Sequence, residues 1–337
     1  MGRGLSAFRV GRRSYLGFDL GASAVRAVEV VGLGKRWRAR TAVTQALPPG
    51  AVADGAVRAP AVVAEILRDL AAGQGWLGRK AFASVGGSRL ITRHLRLPLM
   101  PRAELERALR YEAEQYLPVG MAEQSVDFAL LGKERDEEGE MWAVLLAAVP
   151  LEMARSYAQV FEAAGLSLVA LDIVPLAWQR VLVAALGDSP AERAVGVIDL
   201  GYSCTHIVIL YGSQVELCRS LPQGWGSSAA ASTAYEVAAT AAAANPAPSA
   251  GRAWEDALEG ISYEVRRSVD FFRAQRRSAG WGSLYLSGAL GQSSEVCSWL
   301  EAEIGLPVKP LWPLMEGLSV DPEAAVALGT ALRQVIP

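Results

Sequence analysis

The chain has 337 residues, enough for two lobes of ordinary domain size, and its 51% apolar and 20% charged residues supply material for sizeable cores. With 33 basic and 35 acidic residues and a net charge of −2, global charge suggests neither nucleic-acid nor polyanionic-lipid binding, so partners must be read from local features. Cys204, Cys218 and Cys297 have no metal-type spacing, and His94 and His206 are far apart, so reduced thiols in a cytoplasmic protein are expected rather than a zinc centre or a disulfide framework.

The N-terminal "MGRGLSAFRVGRR" lacks a long apolar stretch and is not expected to be a signal peptide; its fit to the N-myristoylation pattern is short, and its arginines read as a solvated arm or a contact with an anionic membrane surface. Tyr15 to Leu47 reads as three antiparallel strands with turns at Gly21-Ala22-Ser23 and at Gly32-Leu33-Gly34-Lys35. Ala59 to Ala72 carries Val62, Val63, Ile66, Leu67 and Leu70 at helical spacing, and "AFASVGG" is a buried strand ending in glycines. From Leu90 to Gly165 the pattern changes. A strand "LITRHLRLPLM", a helix from Pro101 to Tyr116, a stop at Leu117-Pro118, a strand "SVDFALL", a charged turn "GKERDEEGE", a strand "MWAVLLAAVP" and another helix form a unit with a small core of its own. The best membrane-span candidate, Ser167 to Leu186, is interrupted by Asp172 and Arg180.

Between Ala194 and Leu221 the opening order recurs: an apolar strand, a turn at Gly201-Tyr202-Ser203, "CTHIVIL", a "YGS" turn and "QVELCRSL". This duplication is a stronger signal than either copy alone. The alanine-rich "GWGSSAAASTAYEVAATAAAANPAPSAG" reads as a small helical cap with a loop; Trp254 to Gln275 reads as a long helix, "LYLSGALG" as a strand running into a small-residue turn, and "DPEAAVALGTALRQV" as a closing helix capped by Asp321.

Asp19 and Asp199 each end an apolar strand just before its glycine turn, 180 residues apart. Burying an unpaired carboxylate costs several kcal/mol, roughly, even after relaxation. A hydrated Mg2+ bridging both to a phosphate chain removes that cost, because the ion keeps waters and takes few carboxylate oxygens; the alternative is an Asp that accepts turn N–H groups. Backbone N–H donors of tight turns without bulky side chains can cradle phosphate, and Ser23, Ser203 and Thr205 add hydroxyls. P-loop, nucleophile-elbow and dinucleotide fingerprints are absent.

"FDLGAS", "IDLGYSCTH", "LYLSGALG" and "AVALGTAL", in that order, resemble the phosphate 1, phosphate 2, adenosine and connect 2 motifs of the actin-like ATPases, a superfamily that also includes sugar kinases, FtsA and MreB. Within it, "LRLPLMPRAELERALRYEAEQYLPVGMAEQSVDFALL" and "YEVRRSVDFFRAQ" resemble signatures of the PilM family of type IV pilus assembly. The resemblance implies an α/β, actin-like (ribonuclease H-like) two-lobed fold with duplicated mixed sheets and an inserted small α+β subdomain. It divides the chain into residues 1–89 and 166–194 (subdomain 1A), 90–165 (the insertion, 1C), 195–224 and 263–320 (2A), 225–262 (2B), and 321–337 returning to 1A.

It also implies ATP and Mg2+ as cofactors, with Asp19, Gly21, Ala22 and Ser23 at phosphate 1 and Asp199, Gly201, Tyr202, Ser203 and Thr205 at phosphate 2. Gly288 and Ala289 would lie against the nucleoside, where paired glycines are usual. Glu264, Arg266 and Arg267 fall on the helix that in relatives faces adenine and ribose, and Asp172 in "VALDIVPLA" falls where actin positions its attacking water. The implied partner is a PilN-like inner-membrane protein, held through its N-terminal cytoplasmic peptide by Leu97, Leu99, Met100, Tyr111, Tyr116 and Leu117; pilus motor ATPases are further partners, and the chain would sit at the inner face of the cytoplasmic membrane. The alternatives are an actin-fold kinase or ATPase acting on a small substrate with Asp172 as base, and an FtsA-like filament-forming protein.

Overall fold

A computed structural model describes residues 13–33, 36–116, 123–136, 139–187, 193–227, 254–276, 279–288 and 290–336. The first sheet opens with the meander β1 (Arg13–Leu20), β2 (Ala24–Leu33) and β3 (Arg36–Ala46). A short hairpin, β4 (Val52–Ala53) and β5 (Ala56–Val57), leads to helix α1 (Pro60–Gly73) and strand β6 (Lys80–Val85). The insertion comprises β7 (Ile91–Pro98), α2 (Arg102–Tyr116), β8 (Gln124–Asp136) and β9 (Gly139–Pro150). The chain then continues through α3 (Leu151–Ala163), expected from the sequence to close the 90–165 insertion but packed into the core of the first lobe, and through β10 (Ser167–Ile173) and α4 (Val174–Leu186).

The second sheet repeats the plan. It has β11 (Arg193–Leu200), β12 (Thr205–Tyr211), β13 (Gln214–Leu221), α5 (Trp254–Gln275), β14 (Gly280–Gly288), α6 (Ser294–Ile304) and β15 (Val308–Pro310), followed by α7 (Trp312–Gly317) and α8 (Ala325–Ala331). The strand orders β10-β6-β1-β2-β3 and β15-β14-β11-β12-β13 match one for one, each an antiparallel meander extended by two strands parallel to its first.

Alternation on the strands sets the layers. Leu16, Phe18 and Leu20 of β1 face α1 and α3, where Phe18 meets Trp76 and Phe161 edge to face at 6.1 and 5.3 Å. Val28 and Val30 of β2 face the other way, onto a shared layer of α4 and α8 that also receives Val195, Val197 and Val208 from the second sheet. Ile198 and Ile207 face α5 and α6 on the far side. Small residues make the middle layer thin: a Cβ on Gly17 would lie 2.2 Å from the Ala327 carbonyl oxygen, and one on Gly329 would lie 2.1 Å from that of Ala177. Asp321 caps the turn before α8 by accepting from the Glu323 N–H at 2.8 Å, as expected.

The insertion is a three-stranded sheet, β7-β9-β8, with α2 on one face burying Leu105, Leu109 and Ala113. The "GKERDEEGE" stretch differs from the expected turn: β8 and β9 continue as a paired ribbon from Lys133↔Trp142 to Asp136↔Gly139. Its charges are held in place, because Glu134 accepts from both Arg96 (2.9 Å) and Arg276 (3.0 Å). This sheet reaches the second lobe. His94 Nε2 meets the Val215 carbonyl at 2.8 Å, Thr92 meets Cys218 at 3.2 Å, and Arg276 joins Glu134 to Glu216. Residues 228–251 of the alanine-rich segment, the Leu117-Pro118 stop and residues 1–12 of the N-terminal arm lie outside the described residues.

Candidate functional site

The two sheets present their glycine turns to one cleft of about 330 Å³. Gly21 N–H closes the first turn on the Ala24 carbonyl at 3.0 Å, and Gly201 N–H closes the second on that of Cys204 at 3.1 Å, the same hydrogen bond 180 residues on. Between them, the amides of Ala22 and Ser23 have no protein acceptor among the described residues, as a phosphate cradle requires.

Register places two residues beside each carboxylate. Asp19 lies between Arg26 on the antiparallel neighbour and Ser84 on the parallel one. Asp199 lies between His206 and Ser287 in the same way. All six line the cleft. Burial raises the Asp19 carboxyl to about 6 against the attraction of Arg26, with the negative Asp199 adding to the rise. Asp199 is likewise raised to about 6 by burial, opposed by the Trp178 indole N–H that donates to Oδ2 at 3.0 Å and by Arg26. Arg26 is tied to Glu323 at 3.1 Å, so Asp19, Asp199 and Glu323 share one guanidinium and the cleft carries an excess of negative charge.

His206 is neutral. Burial lowers its pKa to about 4, Nδ1 meets Ser220 Oγ at 2.9 Å, and Nε2 lies 3.6 Å from the Cys204 thiol, which burial holds up at about 12. The lobes also meet at the cleft mouth, where the Asp54 N–H donates to Ser203 Oγ at 3.3 Å. Among the described residues no cluster of three or more His, Cys, Asp or Glu is arranged to hold a metal, so a cation here would have two carboxylates and water, a set that suits Mg2+ and not zinc.

Gly21, Ala22, Ser23, Gly201, Tyr202, Ser203 and Gly288 line this cleft with Asp19 and Asp199. Gly288 has φ +85° and presses against the Leu200 backbone, a conformation that glycine supplies. Ala289 lies outside the described residues. Four expected residues go elsewhere. Thr205 is fully buried and donates its hydroxyl to the Gln223 carbonyl at 2.8 Å. Glu264 is held by Arg219 (2.7 Å) and Arg267 (2.9 Å), and Arg266 faces Glu303 at 3.4 Å; none of Glu264, Arg266 and Arg267 lines the cleft. Asp172 sits in a buried ion pair with Arg180 at 2.7 Å and Arg333 at 3.3 Å and does not line the cleft.

On the insertion, Leu97 and Met100 pack against its small core, while Leu99, Tyr111 and Tyr116 are exposed; Leu117 is outside the described residues. Sequence reasoning missed Arg26, His206, Ser84, Ser287, Trp178 and Glu323. The first two were within reach, since a hairpin closed at Gly21-Ala24 or Gly201-Cys204 puts residue 26 opposite 19 and residue 206 opposite 199.

Two duplicated mixed sheets closing on paired strand-end carboxylates define an actin-like protein, of a fold class that binds nucleotides. A family model described as type IV pilus assembly protein PilM matches residues 17–315. A solved PilM-PilN type IV pilus biogenesis complex is similar at 30% identity, covering 97% of this chain and 100% of that one with a TM-score of 0.80. The ethanolamine utilization protein EutJ from Carboxydothermus hydrogenoformans shares the fold at 16% identity, covering 96% of this chain and 90% of its own with a TM-score of 0.55. The chain belongs to the PilM family. Among the described residues, no helix is long and apolar enough to cross a membrane.

Proposed function

We propose that the chain is the ATP- and Mg2+-holding, actin-like component of a type IV pilus assembly platform, tethered at the cytoplasmic face of the inner membrane by the short N-terminal segment of a PilN-like protein. The observation that carries this reading is the full-length similarity to a PilM-PilN complex, joined to a cleft whose two half-sites are the same backbone device. The amides of Ala22 and Ser23 and the hydroxyl of Ser203 would bind phosphate oxygens. A hydrated Mg2+ would relieve the burial of Asp19 and Asp199 and neutralise phosphate charge. Arg26, shared among three carboxylates, orients the charge of the first lobe toward the ligand. Because Asp172 is paired with Arg180, it supports the small-substrate kinase reading poorly, and the proposal is for a binding module that holds nucleotide and partner and hands its state on to motor ATPases.

The exposed Leu99, Tyr111 and Tyr116 are the proposed edge for the partner peptide, with Leu97 and Met100 as the floor beneath them. A fluorescent synthetic N-terminal segment of the PilN-like protein tests this by anisotropy with the full chain. Tyr111→Ala should weaken binding by at least about ten-fold, the cost of one truncated aromatic anchor, with thermal unfolding unchanged because Tyr111 is 66% exposed. Equal binding by Tyr111→Ala and Leu99→Ala would move the peptide site off this edge.

A further inference from the structure

The acidic total of the chain hides a segregation of charge. Residues 1–53 hold nine lysines and arginines against two carboxylates, Asp19 and Glu29, a net of +7 in a chain whose total is −2. Glu29 is buried under Arg79 at 2.9 Å with Arg40 at 3.8 Å, and Asp19 is half-buried in the cleft. From Val30 to Ala53 there is no acidic residue at all.

The fold displays three of these cations on one edge. β3 is the last strand of the first sheet, and its alternating burial exposes Arg36, Arg38 and Arg40 while Trp37 and Ala39 pack on the opposite face against the middle layer. Arg36 and Arg38 make no salt bridge among the described residues. Arg13 pairs with Gly32, so the chain enters the sheet beside the same β2–β3 hairpin. This is the end of β1 away from Asp19, so the surface lies at the end of the sheet opposite the cleft. Charged residues on an edge strand block unwanted strand pairing, but that role does not need the whole stretch to be free of acid.

We propose that the β3 edge, through Arg36, Arg38 and Arg40, is a docking surface for an anionic phospholipid membrane. The surface is an outer sheet edge on which Arg36 and Arg38 pair with no fixed acceptor among the described residues and Arg40 reaches only Glu29 at 3.8 Å, which suits mobile headgroups better than a carved partner. A cationic edge on an otherwise acidic body is also drawn to an anionic plane in one orientation, because the rest of the molecule is repelled. The isoelectric point of about 5.9 argues against nucleic acid, whose binders are basic as a whole. Docking through this edge leaves the cleft and the insertion accessible.

The experiment is vesicle co-sedimentation of the full chain, without nucleotide or any partner protein, so its outcome is independent of the pilus reading. Phosphatidylcholine vesicles with about one third phosphatidylglycerol should bind the chain, pure phosphatidylcholine should not, and ~0.5 M salt should release it. Arg36→Gln with Arg38→Gln should weaken binding roughly thirty-fold, the factor that about 1 kcal/mol per cation near an anionic leaflet gives, with an unchanged thermal unfolding curve. The proposal is overturned if wild type ignores the anionic vesicles, if the double variant binds them as well as wild type, if pure phosphatidylcholine binds equally, or if duplex DNA competes more tightly than vesicles and loses its binding in the same variant.

Discussion

Asp199→Asn isolates the tension built into the ligand-free cleft. Asparagine keeps an oxygen for the Trp178 indole N–H and removes the buried charge. The carboxyl titrates at about 6 in the fold against a reference of 3.8, so the folded chain holds that proton more tightly than the unfolded one. A raised carboxyl pKa makes its charge destabilising in full above pH 6, progressively less between 6 and 3.8, and not at all below. About two pH units correspond to about 3 kcal/mol, a shift that already includes the attraction of Arg26, so the variant should be more stable than wild type by about 3 kcal/mol at pH 8. The gap should fall to about half by pH 5. Taking the difference between the two proteins cancels His206, whose lowered pKa acts with the opposite sign as pH falls from 6.5 toward 4. Urea unfolding followed by tryptophan fluorescence at several pH values measures the gap, and Trp178 itself reports on the site. Mg-ATP should then stabilise wild type by RT ln(1 + [L]/Kd) and leave the variant nearly unmoved. A variant less stable than wild type at pH 8, or a gap that does not narrow toward pH 5, would refute the idea that Asp199 waits as a costly charge for a cation.

Three further substitutions probe the surrounding architecture. Asp172→Asn should cost about 2–4 kcal/mol in urea unfolding, because it leaves the buried Arg180 without its anion, yet change Mg-ATP affinity in calorimetry by less than about two-fold; a large affinity loss at full stability would return Asp172 to the cleft. Arg276→Gln should cost about 1–2 kcal/mol by leaving Glu134 and Glu216 facing each other, and should speed amide exchange in β8 and β13, where the insertion meets the second lobe; unchanged exchange would show that the ion pairs do not hold that contact. Gly17→Ala puts a methyl on the Ala327 and Ala331 backbone, which has no side chain to yield, and should lower stability by about 3 kcal/mol or more; a melting temperature within error of wild type would contradict the close approach of β1 and α8.

The two meanders were legible because their signals are local: alternating apolar strands, a glycine turn of fixed length and an acid at the strand end. The ribbon that pairs Lys133–Asp136 with Gly139–Trp142 was not, because Arg96 and Arg276, the arginines that hold Glu134, lie 38 and 142 residues from it. Asp172 misled for the same reason. The motif around it is that of a strand running into a helix, and only the fold brings Arg333 from the C-terminal turn to its carboxylate. Thr205 and Glu264 occupy plausible motif positions, but Gln223 and Arg219 claim their polar atoms first. A motif fixes a backbone address; what the side chain there can do is decided by which long-range partner satisfies it.

Duplication carries that argument further. The two half-sites share one address system, with serine on the parallel side of each carboxylate and a nitrogen base on the antiparallel side, yet the base is Arg26 in one and His206 in the other. Arginine stays charged in any surroundings, whereas burial strips the proton from His206. The backbone symmetry therefore supports an electrostatic asymmetry, with a permanent countercharge on the first lobe and a neutral ring beside the Cys204 thiol on the second. An anionic ligand entering between equal turns would meet Arg26 on the first lobe only, within a cleft whose carboxylates leave it negative overall. Such a ligand would need a countercation of its own, with Arg26 adding attraction on the first lobe alone.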